Sequence, residues 1–114
     1  MLVVDDDPAV LEAMSNILRM FGHEVTTMKA PLEALELLTT EPFDGVICDV
    51  MMPEIRGPTM IAKAREAGVD VRVVFVTGSA LEEVTDTGAD ELLTKPFGPH
   101  ALETAVKRML ARDS

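Results

Sequence analysis

The chain has little with which to hold DNA or RNA. Its 114 residues carry 10 Lys and Arg against 20 Asp and Glu, a formal net charge of −10. Such a surface repels nucleic-acid phosphates and suits cations or a basic partner instead. Cysteine is nearly absent. Cys48 stands alone, so no internal disulfide can form, and its place in the apolar run Val46-Ile47-Cys48 marks a buried, inert thiol of a reducing compartment. No apolar run approaches the roughly 18 residues of a membrane span. The apolar start runs straight into acidic residues, unlike a secretory signal. The expectation is a cytoplasmic protein that binds neither membrane nor nucleic acid, as a monomer or weak homodimer. Repeats, linkers and low-complexity tracts are also missing. Residues 1–114 therefore read as one domain, with no output domain expected after the last helix. A hydrophobic fraction of 47% is enough for one core without staples.

What is present is an alternation of short β-type runs with helical patterns. Residues 1–4 are apolar and lead into Asp5-Asp6-Asp7-Pro8, where Asp7 suits an N-cap and Pro8 a first helical position. Val10, Leu11, Met14, Ile17, Leu18 and Phe21 then share one helix face, and Gly22 stops the helix. Residues 24–28 predict a second strand. Pro31 opens a helix carrying Leu32, Leu35 and Leu38 inward. Val46-Ile47-Cys48 is a buried strand ending at Asp49. Pro58 starts a third helix with Met60, Ile61 and Ala64 inward and Gly68 at its end. Residues 72–76 are a β-branched strand, 81–87 a weak helical segment, 91–94 a fifth strand, and 98–111 the last helix. Five strands with five intervening or closing helices predict a parallel sheet covered on both faces.

In such a sheet, ligands bind beyond the carboxyl ends of the strands. Asp5 and Asp6 follow the first strand, Asp49 the third, Thr77 the fourth and Lys95 the fifth. Each alone has a bland reading: cap, turn or solvated lysine. Together they form a coherent site. Clustered carboxylates repel one another, and a divalent cation removes that cost. The ligands would all be oxygen, without Cys or His, so the expected metal is Mg²⁺ (or Mn²⁺) rather than zinc. A carboxylate can act as nucleophile toward phosphorus, while a metal and a lysine neutralise the transferred oxygens. The Thr77 hydroxyl can donate to one of those oxygens, and Gly78 leaves room for the donor.

Four separated motifs resemble the receiver domains of two-component response regulators. They are Val3-Val4-Asp5-Asp6-Asp7-Pro8, Asp49-Val50-Met51-Met52-Pro53 with Gly57, Val76-Thr77-Gly78, and Lys95-Pro96-Phe97. The resemblance covers essentially the whole chain. It implies a flavodoxin-like, doubly wound sheet of strand order 2-1-3-4-5. It also implies Asp49 as phosphoacceptor, Asp5 and Asp6 as metal carboxylates, the Met51 carbonyl as a further metal ligand, and a cis Lys95–Pro96 bond. The donor it implies is a phosphohistidine on a histidine kinase or histidine phosphotransfer protein, docking near the first helix. The domain would be a signalling phosphoacceptor rather than an enzyme.

Three positions depart from that family's pattern. Arg56 stands where an Asp usually precedes Gly57. The stretch from Thr77 to Lys95 is about four positions shorter than usual, roughly one helical turn. Leu92 replaces the usual aromatic switch residue, and its side chain is expected to stay packed. The short, polar segment 81–87 is expected to be weakly stable. Output is therefore not expected to run through a threonine–aromatic switch; it would use movement of that segment, or the first helix alone as in a phosphorelay. The start Gly57-Pro58-Thr59 is similar to receivers of hybrid sensor kinases. Two other functions fit less well. A phosphatase resembling the haloacid dehalogenases needs a second Asp at the place of Met51. A pseudo-receiver that only binds a partner would not need all five site residues.

Overall fold

A computed structural model describes residues 1–78 and 90–111. The order is β1 (Leu2–Val4), α1 (Pro8–Met20), β2 (Thr26–Met28), α2 (Pro31–Thr40), β3 (Val46–Asp49), α3 (Gly57–Glu66), β4 (Val73–Thr77), β5 (Glu91–Thr94) and α4 (Pro99–Leu110). The five strands form one sheet in the order β2-β1-β3-β4-β5, and every pairing is parallel. This is the expected flavodoxin-like arrangement.

Strand periodicity divides the core into two layers, because successive side chains point to opposite faces. Leu2, Val4, Val46, Cys48, Val73 and Phe75 pack with Ala34 and Leu38 of α2 and Met60, Ile61 and Ala64 of α3. Val3, Ile47, Val74 and Val76 pack on the other face with Leu11, Met14 and Leu18 of α1 and Leu102, Val106 and Met109 of α4. β1, β3 and β4 are buried along their whole length, as strands covered on both faces must be.

α1 forms as its sequence predicts. The Asp7 side chain accepts the Ala9 amide at 2.9 Å, Pro8 occupies the first turn, and Gly22 takes φ 88° just beyond the Phe21 cap. That left-handed backbone is open to glycine without a Cβ penalty.

Several expectations are corrected. β2 begins at Thr26, not Glu24, because the Glu24 carbonyl accepts from the Met1 amino group and sheet pairing starts with Thr26 donating to the Met1 carbonyl. β4 runs one residue later than expected at both ends. In α2, Leu32 is half exposed while Ala34 is fully buried. A spacing of three falls about 60° short of a full turn, so a Leu32–Leu35–Leu38 stripe sweeps round the helix: Leu38 is buried, Leu35 packs partly buried against the core, and Leu32 turns out to solvent. Leu92 is 37% exposed rather than packed. β5 alternates, and it is Leu93 that joins the α1–α4 layer. The weak helix expected over 81–87 lies outside the described residues, so four helices are described.

Candidate functional site

The carboxyl edge of the sheet gathers the expected residues. β1 delivers Asp5, wholly buried; β3 ends on Asp49, 8% exposed; β4 ends on Thr77, also buried. Asp6 is exposed at the mouth. Asp5, Asp6 and Asp49 each present a carboxylate oxygen within 4.8 Å of the others. Lys95, one residue past β5, reaches both buried acids: its Nζ lies 3.4 Å from Asp5 Oδ2 and 3.3 Å from Asp49 Oδ2. Its backbone amide donates to the Thr77 carbonyl at 2.8 Å, which seats the end of β5 beside the end of β4. The Lys95–Pro96 bond is cis.

Backbone amides fix the two carboxylates. Asp7 N–H donates to Asp5 Oδ1 at 2.9 Å, and Met51 N–H donates to Asp49 Oδ1 at 3.1 Å. Each buried acid thus has one oxygen tied to its own loop and the other turned to Lys95. Burial pushes the Asp5 carboxyl above the usual carboxylate range; the Asp49 charge adds to this, while the Asp7 amide and Lys95 act against it. For Lys95, desolvation disfavours the ammonium, but attraction to Asp49 and Asp5 outweighs it and the net shift is upward. Burial also raises the Cys48 thiol, as expected of an inert core cysteine.

Gly57 has a role that its place in a motif did not reveal. A Cβ there would collide with the Asp49 carbonyl oxygen and crowd Cys48 Sγ at 3.1 Å, while the Gly57 amide donates to the Val50 carbonyl at 2.9 Å. The start of α3 therefore packs directly on the backbone of Asp49. Gly57→Ala should cost about 1–3 kcal/mol, the usual range for overpacking, because backbone atoms cannot rotate away. Denaturant titration checks this; an unchanged midpoint would contradict the close packing.

The other expected residues are placed as follows. Met51 is half exposed beside Asp49. Arg56 is exposed in the β3–α3 loop. The space beside Gly78 is open. An apolar groove of about 350 Å³ adjoins Lys95, lined by Ala9, Val10, Ala13 and Ile17 of α1 with Pro96 and Phe97. A larger groove between α1 and α2, about 570 Å³, contains none of the site residues. No helix among the described residues is long and apolar enough to cross a membrane.

Comparison with known proteins agrees with this fold. The family model described as the response regulator receiver domain matches residues 1–107. The response regulator MprA of Mycolicibacterium vanbaalenii is 40% identical over 114 residues, covering 96% of this chain and 48% of its own length. The response regulator SaeR of Staphylococcus epidermidis is 32% identical over 118 residues, covering 100% of this chain and 51% of its own length. The chain thus spans about half the length of the curated relatives it matches. Among solved structures, a CheY-like receiver domain protein from Methanospirillum hungatei superposes with a TM-score of 0.86 at 31% identity, over 96% of this chain and 90% of that one.

Proposed function

The chain belongs to the response regulator receiver domains, and on that premise we propose that it accepts a phosphoryl group from a phosphohistidine onto Asp49, with Mg²⁺ held by Asp5, Asp6, Asp49 and the Met51 carbonyl. The observation that carries this reading is the convergence of three carboxylates and one lysine at the carboxyl edge of the sheet.

The donor set fits the metal. Three carboxylates, two of them buried, offer only hard oxygen ligands. Bound there, Mg²⁺ supplies charge neutralisation for phosphoryl oxygens. The chain's own residues do the rest. The amides of Asp7 and Met51 hold the carboxylates in place before any donor arrives. An Asp49 carboxylate oxygen attacks phosphorus, the P–N bond breaks, and the imidazole leaves with the electron pair of that bond. Lys95 is close enough to pass from the carboxylate to an oxygen of the new acyl phosphate, and Thr77, which closes β4 at the same edge, would donate its hydroxyl to another. The partner is a histidine kinase or histidine phosphotransfer protein. The apolar groove along α1 and Phe97 gives it a surface next to the acceptor. Single-domain organisation over residues 1–114 and a cytoplasmic location accompany this reading.

Phosphoramidate, a small P–N donor, tests the reaction without a partner. Intact mass should rise by one phosphoryl group with Mg²⁺ and not with EDTA. A mass unchanged under both conditions would overturn the reading.

Mg²⁺ should also raise the melting temperature. At about 100 times its dissociation constant, a ligand selective for the folded state adds about 2.7 kcal/mol. Asp6→Asn should shrink that shift while leaving the metal-free melting point nearly unchanged, because Asp6 is exposed and makes no ion pair with Lys95. Scans with EDTA and with Mg²⁺ that superimpose for the unsubstituted protein would contradict the metal assignment.

A further inference from the structure

We propose that the open edge of β2 receives an extended peptide with two consecutive basic residues, which adds to the sheet as a sixth, antiparallel strand. The groove involved contains none of the acceptor-site residues, and the proposal does not depend on the phosphoryl reading.

β2 is an outer strand, paired only with β1. In the parallel ladder, alternate residues turn both backbone groups toward the neighbour and the residues between them turn both away. Thr26 donates to the Met1 carbonyl, and the Met28 carbonyl accepts from Asp5. Thr27 lies between them and so directs its N–H and C=O outward. The Val25 carbonyl faces the same way, and Arg19 of α1 already donates to it at 3.4 Å. An open edge of this kind is a template for another strand. It forms the floor of the groove of about 570 Å³ between α1 and α2.

The walls of the groove select the occupant. Thr27 is in register with Val3, which belongs to the α1–α4 layer. Met28 is in register with Val4 and packs in the α2–α3 layer. An incoming residue opposite Thr27 therefore points toward α1, and the next one toward α2. Each meets a carboxylate: Glu12 lines the α1 wall and Glu33 the α2 wall. Both are exposed, and neither forms an ion pair among the described residues. One basic side chain per wall satisfies them. Arg19 and Lys29 also line the groove, near the two ends of β2, and repel a longer basic run. Charge argues against a second copy of this chain as the occupant. Isologous pairing would set Glu12 and Glu33 against the same acids, between two chains that each carry −10.

The probe is the fluorescent peptide acetyl-Thr-Val-Lys-Arg-Val-Thr-amide, titrated by anisotropy. It should bind the unsubstituted chain, and the same peptide with Glu-Glu in place of Lys-Arg should bind at least tenfold more weakly. Glu12→Gln combined with Glu33→Gln should weaken binding at least tenfold, whereas Glu66→Gln, at the far end of α3, should stay within twofold. Thr27→Pro removes the outward amide and should also cost at least tenfold. Because that variant can disturb the strand, a second measurement keeps the protein intact and methylates alternate backbone nitrogens of the peptide. One of the two methylation registers should abolish binding. In the unmodified complex, the Thr27 amide should exchange with solvent several-fold more slowly than in the free chain. Absence of binding, or binding that survives both methylation registers and leaves Thr27 exchange unchanged, would overturn the proposal. So would a chain that sediments as a dimer with the Thr27 amide already protected, since a second copy would then hold the edge.

Discussion

Asp49→Asn is expected to abolish phosphoryl uptake while the protein stays folded. The amide is nearly isosteric with the carboxylate. Its oxygen can still accept the Met51 N–H that now binds Asp49 Oδ1, so the loop after β3 keeps its anchor. What disappears is the negative oxygen that attacks phosphorus. The stability change should be small, within about 1 kcal/mol, because two opposing effects accompany it. Lys95 loses one of its two acidic partners, and Asp5 loses a neighbouring like charge. Acyl-phosphate formation measured beside a thermal scan separates the two quantities. Uptake at an undiminished rate by a folded Asn variant would show that another residue is the acceptor.

Phe75→Ala is expected to be the most damaging single truncation in the core. Phe75 is the bulkiest of the fully buried side chains. It sits on β4, in register between Cys48 of β3 and Leu92 of β5, and belongs to the layer that α2 and α3 cover. Emptying such a site costs about 3–5 kcal/mol, against about 5–15 kcal/mol for a whole domain. The loss should reach the site as well, because β4 ends on Thr77 and its neighbour β3 ends on Asp49. Guanidinium unfolding monitored by circular dichroism would read the change. A loss under about 1 kcal/mol would mean that the layer collapses around the gap.

These two effects also mark what could be read from the sequence. The sheet was legible because β3 and β4 are short, β-branched runs closed by single polar residues, and because Pro and Gly punctuate the helices between them. The site was legible because a parallel sheet sends all its carboxyl ends to one edge, so Asp5, Asp49, Thr77 and Lys95 had to meet there. Less was visible where geometry depends on contacts distant in sequence. The shortened β2 follows from where the Met1 amino group finds its carbonyl. The exposure of Leu32 follows from a drift in helical phase that counting leucines overlooked. Leu92 was expected to pack because it is apolar, yet the alternation of an edge strand turned Leu93 inward instead. The close packing of Gly57 on the Asp49 backbone, and the double contact of Lys95, are three-dimensional facts. Motif spacing names those residues without saying what they touch.

The most direct test of the central claim is to map the acceptor chemically. The chain is treated with phosphoramidate and Mg²⁺, reduced with borohydride to convert any aspartyl phosphate to homoserine, and digested for peptide mass analysis. The expected result is homoserine at position 49 and at no other aspartate, absent when EDTA replaces Mg²⁺. Conversion at Asp5 or Asp6, or no conversion under conditions where the chain is folded, would contradict Asp49 as the phosphoacceptor.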